Sequence, residues 1–204
     1  VQPPDMPDAR IELGGMRFTS EQKIIKALIA DMQLEIESFQ VSEPGNIAYL
    51  RGRHLKTADL AHPERVPYDI PQEDYEGFRC GFTALAAKRF LSKVLNTPDV
   101  DLRNVDWDAV AEKGIYDDHA VTDLTMRYAF SQSMNNESFQ FAEDSSGYGS
   151  IYRTWNAADG FVWNLDDYGS DISYWRLTSG FETVPITLRD RYLAAGGEVH
   201  CNRR

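Results

Sequence analysis

Cysteine is nearly missing from this chain: 204 residues hold two, Cys80 and Cys201. They lie far apart and form no C-x-x-C, so neither a disulfide framework nor a zinc site can be read from them. One disulfide and two free thiols both stay open. Positive charge is scarce as well. Lysine and arginine number 21 against 32 aspartates and glutamates, a net charge of −11. Phosphate backbones need a basic footprint, so the expectation is no nucleic-acid partner and, for the same reason, no anionic membrane surface. The acidity itself favours solubility. No apolar run approaches the roughly 18 residues that cross a bilayer. The opening VQPPDMPDAR contains neither the basic segment nor the apolar core of a signal peptide and reads as a Pro-rich linker. No G-x-G-x-x-G follows a strand, no G-x-S-x-G occurs, and no repeat or low-complexity segment is visible.

What is present is an ordinary globular composition, 42% hydrophobic and 26% charged, long enough for one core or for one domain and a part. ARIEL, up to Leu13, has the look of a short strand. A helix should follow, with Thr19 as cap, Gln22 at the reciprocal position, and Ile24, Ile25, Leu28, Ile29 and Met32 on one face. LEIESFQ alternates like a half-buried strand, EPGN is a turn, and IAYLRGRHL is the expected return strand, so residues 34–55 are predicted as a hairpin. Helical spacing then runs from Tyr75 to Leu95, around Trp107 up to Gly114, from Asp117 to Met134, and through a short helix ending near 145–147. A last helix should start after Thr183 as its cap, with Pro185 in its first turn, and stop at Gly196-Gly197, before a final strand EVHCN. The fold class is α+β, mostly helical with a few antiparallel strands. Both ends read as places where a longer polypeptide was interrupted.

The octet IELGGMRF combines a Gly-Gly pair with an arginine in an apolar setting. Glycines let a backbone approach another surface closely. A guanidinium is always charged and offers a planar fork to a carboxylate or phosphate. By itself the pattern also suits a tight turn with a surface arginine.

IELGGMRF, with the helix and LEIESFQ after it, is similar to the start of the substrate-binding portion of FAD-dependent L-amino-acid oxidases, which are flavin amine oxidases. The matching positions are Glu12, Leu13, Gly14, Gly15, Met16 and Arg17. The stretch YWRLTSGFETVPITLRDRYLAAGGEVHCNRR resembles the same family at Gly180, Phe181, Val184, Pro185 and Leu188. EDSSGYGS is the best local match between them. The resemblance implies that Gly14, Gly15, Met16 and Arg17 face FAD and that Arg17 also holds the substrate's α-carboxylate. It implies oxidative deamination of an L-amino acid to a 2-oxo acid, with ammonia and hydrogen peroxide released and oxygen consumed. It assigns residues 1–10 to a linker from an FAD-binding segment, 11–197 to the substrate-binding domain, and 198–204 to a strand returning to the FAD-binding part. Since the dinucleotide motif is missing, FAD would be held mainly by polypeptide outside this chain, the expected partner; a homo-oligomer is compatible with this reading. No catalytic residue is assigned.

Two other readings compete. A flavin amine oxidase acting on amines without a carboxylate would have no use for Arg17. A stand-alone binding domain lacking FAD is supported by the missing dinucleotide motif alone. Trp155, Trp163 and Trp175 read first as core aromatics. Asp117 and Asp118 in YDDHA read as a helix cap rather than a metal site. NLDDYGSD lacks the terminal glutamate of a calcium loop and reads as solvated loop. His54, His62 and His200 show no triad pattern.

Overall fold

The computed structural model describes residues 4–6, 11–168 and 172–201. In chain order the elements are β1 (Phe18–Thr19), α1 (Lys23–Asp31), β2 (Ile36–Ser38), β3 (Ile47–Leu50), β4 (Arg53–Lys56), α2 (Gly77–Cys80) and α3 (Phe82–Val94). Then come α4 (Trp107–Lys113), β5 (Ile115–Tyr116), β6 (His119–Ala120), α5 (Met126–Ser131), α6 (Asn136–Ser146), α7 (Gly149–Thr154), α8 (Ala157–Tyr168), β7 (Tyr174–Leu177) and α9 (Thr183–Ala194). The protein is therefore α+β, mostly helical with three small antiparallel sheets. Two compact units divide it, one from the two ends of the chain, up to Val41 and from Asp171 on, the other from residues 42–170.

In the end-to-end unit, β7 is the central strand of the order β1-β7-β2. Phe18 pairs with Trp175 and Thr19 with Tyr174 on one side; Ile36 pairs with Leu177 and Ser38 with Trp175 on the other. Phe18, Ile29, Met32, Leu177 and Val184 form its core, with Trp175 packed against them. Arg191 of α9 donates to the carboxylate of Asp31 at the end of α1 (2.5 Å), tying the two helices together. The expected capping box is half formed: the Thr19 N–H donates to Gln22 Oε1 (3.1 Å), but Thr19 belongs to β1 and does not cap α1. Ile24, placed by periodicity on the buried face, is 89% exposed.

The expected strand up to Leu13 is not formed in the described residues from Ile11 on. Leu13 and Ile11 are exposed. The hairpin expected over 34–55 is also overturned. β2 pairs with β7, 139 residues away, while β3 and β4 make their own hairpin. Arg51 (φ 46°) and Gly52 (φ 78°) supply the paired left-handed turn that matches strand twist. Residues 198–201 carry no strand, so the expected EVHCN strand is absent there; Asn202 lies outside the described residues.

The larger unit is built on α3, whose Ala86, Ala87, Phe90 and Leu91 are buried against α5 and α8. Small residues at the crossings, Ala129 of α5 and Ala157 and Ala158 of α8, let these helices approach closely, and Phe130 stacks on Phe161 between them (5.8 Å). The helix expected over Tyr75–Leu95 is two helices, because Gly81 (φ 87°, ψ 137°) leaves helical geometry between α2 and α3. Of the helix expected from Asp117 to Met134, only α5 (Met126–Ser131) forms; the first part is taken by the β5–β6 hairpin and a single helical turn at Val121–Asp123. Asp117 (φ 50°) and Asp118 (φ 66°) are the hairpin's left-handed turn and not a cap. The α4, α6 and α9 expectations agree with the structure, with Asp106 and Asn135 capping α4 and α6 through their side chains, except that Thr183 is the first residue of α9 and Glu182, not Thr183, stands at its cap. Asn164–Tyr168, expected as loop, belong to α8; 169–171 lie outside the described residues.

The buried polar hub of this unit is Asp74, 1% exposed. Its carboxylate accepts from Arg89 (2.5 Å), the Ser138 hydroxyl (2.6 Å) and the Asn135 N–H (3.0 Å). These contacts fasten the turn before α2 to α3 and to the start of α6. Burial alone would raise the Asp74 pKa; the Ser138, Arg89 and Asn135 contacts outweigh it and hold the carboxyl below the ordinary range. Both cysteines are free: Cys80 is half-buried, with its thiol pKa pushed up by that burial, and Cys201 is exposed.

Candidate functional site

Residues 11–17 run without regular structure into β1. What fixes this segment is the segment most distant from it in sequence. The Glu12 carboxylate accepts a hydrogen bond from the Phe181 N–H (3.1 Å). Phe18 is buried and meets the Phe181 ring edge-on, with centroids 6.1 Å apart. β7 ends in a turn at Gly180 (φ 88°), a left-handed position suited to glycine, and that turn presents Phe181 to the octet. The two stretches that carry the family resemblance are thus one local structure.

Gly14 and Gly15 sit on this structure with negative-φ or otherwise ordinary backbone; neither belongs to the left-handed positions. A Cβ added at Gly14 would meet no atom within 4 Å, and one at Gly15 would make ordinary contact with the Phe181 ring at 3.6 Å. The chain's own described residues therefore do not require glycine at either place. Met16 is 45% exposed and Leu13 82% exposed, so the Leu13–Met16 segment is an open surface of backbone and apolar side chains.

Arg17 is half-buried, and its guanidinium carbon lies 5.0 Å from the centroid of the Tyr174 ring. It opens onto a groove of about 680 Å3 whose apolar lining is Phe18, Ile24, Ile25, Leu28 and Phe181. Glu21 and Lys23 also line it. A cation beside an apolar wall is suited to an anion carrying an apolar group.

Of the sequence candidates, Gly14, Gly15, Met16 and Arg17 are contiguous on this surface. Tyr174, Glu12 and Phe181 were given no role by sequence reasoning. Tyr174 becomes visible only through the β1–β7 register; the signal that could have hinted at it is the aromatic pair Tyr174-Trp175 shortly before Gly180. Among the tryptophans, Trp175 and Trp163 pack partly buried against the two cores, while Trp155 is 40% exposed and lies against Trp163 (5.6 Å). His54 packs on Tyr49, His62 lies beside Glu64, and His200 beside Glu198. Among the described residues no three His, Cys, Asp or Glu side chains group as a metal site, and no helix is long and apolar enough to cross a membrane.

No family model matches this chain. Among curated proteins it is similar to achacin of Lissachatina fulica, with 25% identity over 197 residues. The match covers 93% of this chain and 35% of achacin, so the chain spans about a third of that protein's length.

Proposed function

We propose that this chain is the substrate-binding part of an FAD-dependent L-amino-acid oxidase, and that Arg17 holds the α-carboxylate of the amino acid. The distant likeness to achacin supports the L-amino-acid oxidase family at that general level. The observation that carries the finer reading is local: a guanidinium beside two glycines that the packing of the described residues does not call for.

The residues present fit FAD as one wall of its site and not as its whole cradle. Gly14 leaves open space where a side chain would stand, so a flat ring could lie against the Gly14–Met16 backbone. Without a G-x-G-x-x-G, the phosphates and ribose would be held by other polypeptide. FAD, when bound, would take the hydride from the amino acid's Cα and pass the electrons to oxygen, giving hydrogen peroxide. The chain's own contribution is orientation. Arg17 would donate two in-plane N–H groups to the carboxylate and fix Cα–H relative to the Gly14–Met16 wall. The apolar residues Ile25, Leu28 and Phe181 would exclude water from the same groove. Arg17 also argues against amines without a carboxylate, which would leave its charge without a counterpart on the ligand.

The test is an absorbance scan of the full-length polypeptide that contains this chain, followed by a screen of L-amino acids for peroxide release. Flavin bands with peroxide from at least one L-amino acid are expected. A colourless protein that releases no peroxide from any of them contradicts the proposal.

A further inference from the structure

We propose that α9 is a docking helix: its two apolar stripes seat the remaining polypeptide of the full-length protein, the part that would hold FAD, which covers the helix from both sides. The inference rests on the reading of this chain as one part of a longer protein and names the surface through which that part meets the rest.

The argument begins with how little holds α9. The helix has 12 residues, and Val184 is the one that is buried. Helices of about 12–15 residues are marginal in water unless an apolar face is packed. Arg191 ties α9 to α1 through the carboxylate and the carbonyl of Asp31, but that contact is polar and exposed.

The apolar side chains of α9 are not scattered. Ile186, Leu188, Tyr192 and Leu193 are between 41% and 55% exposed. Val184, Leu188 and Tyr192 follow one another at four-residue spacing and make one stripe. Ile186 and Leu193, seven apart, make a second. Five residues of helix, from Leu188 to Leu193, turn about 140°, so the stripes lie on different sides. A helix that is apolar on more than one side belongs in an interior. The Tyr192 ring is already set in place against Gly197, where a side chain would collide with it.

Geometry and charge choose the occupant. A second copy related by a twofold axis meets the same patch of its mate; it would seat one stripe and leave the other in water. Polypeptide of a larger fold packs on both. Every charged side chain of α9 is matched within this chain: Arg189 pairs with Asp190 (2.6 Å) and Arg191 with Asp31 (2.5 Å). The covering surface therefore needs apolar groups and no complementary charge. A relative of which this chain spans about a third has further polypeptide to provide such a surface.

The experiment uses the full-length polypeptide that contains this chain. Leu188→Cys and Leu193→Cys are made singly, one on each stripe. Labelling of the new thiol by a soluble maleimide is located by tandem mass spectrometry, which separates it from Cys80 and Cys201. Sedimentation on the same samples gives the oligomeric state. Both thiols should label at least roughly 10-fold more slowly than the same thiols in urea, and should stay slow at dilutions where the protein is monomeric. The proposal is overturned if either thiol labels as fast as in urea. It is equally overturned if protection vanishes on dilution to the monomer, which would make the cover a second copy. Should a cysteine variant fail to fold, hydrogen exchange on the unsubstituted protein decides: the α9 amides should be protected to the level of the buried α3, and unprotected exchange along the whole helix overturns the proposal. Flavin content and peroxide release are read on the parent. A protected α9 in a protein without flavin removes the oxidase reading and keeps the docking surface; a flavin-loaded, active protein whose α9 labels freely removes only the present inference.

Discussion

Gly14 is a glycine that the described residues do not require. Its backbone is not left-handed, and a Cβ would point into open space. On the proposed function, this open face is where the flavin ring lies. The prediction is a split between stability and cofactor retention. Gly14→Val should leave the urea midpoint of this chain within the small range of surface substitutions, about 0.5 kcal/mol. In the full-length protein the same change should lower flavin content, read from the ratio of visible to ultraviolet absorbance. Unchanged flavin content would remove Gly14 from the cofactor wall. Arg17 and the glycine pair were legible in the sequence because a charge beside Gly-Gly in an apolar run is locally odd. The contact of Arg17 with Tyr174 was not, because it depends on which strand β1 pairs with, and no local pattern states that.

At the scale of elements, the same division holds. α4, α6 and α9 were legible because each carries its own start or stop: Asp106 and Asn135 as side-chain caps, Pro185 in a first turn, glycines after the last turns; α1 was legible from its apolar spacing alone, since the cap expected for it is not formed. β2 was correctly seen as a strand, yet it was matched to its neighbour in sequence instead of β7. Alternation identifies a strand and says nothing about its partner. The break between α2 and α3 was hidden because Phe78, Phe82 and Leu85 keep helical spacing straight through Gly81. Asp117-Asp118 misled in the opposite direction, since aspartate serves both helix starts and left-handed turns. Gly81 gives the prediction at this scale. Its φ of 87° and ψ of 137° lie where side chains are strained, so Gly81→Ala should cost about 1–3 kcal/mol despite open space around the site. Equilibrium urea unfolding measures it; a loss below the error of the method would show that the backbone there relaxes freely.

For the molecule as a whole, two cores carry the fold, and the most deeply buried carboxylate of the larger is that of Asp74. Asp74 is ionised at neutral pH with a folded-state pKa below its unfolded value. Its stabilisation is therefore fully present above the ordinary aspartate range, near pH 4, and is lost as pH falls through the lower folded value. Asp74→Ala removes the acceptor that Arg89, Ser138 and Asn135 share, and should cost about 3–5 kcal/mol at pH 7. Urea melts from pH 7 down to pH 2 should show a flatter acid limb in the variant than in the parent; identical limbs would mean that other carboxylates govern acid unfolding.

The functional account extends past this chain, which spans about a third of achacin's length, and its centre is Arg17. The measurement that tests it most directly is kcat/KM for peroxide release from the best L-amino acid, compared between the proposed oxidase and its Arg17→Ala variant. Charge-assisted hydrogen bonds are worth roughly 1.5–3 kcal/mol each, so losing the pair made by one guanidinium predicts a fall of about 10²-fold or more, with thermal stability barely changed. A variant that keeps its activity to within a few-fold would contradict the assignment of Arg17 as the carboxylate clamp.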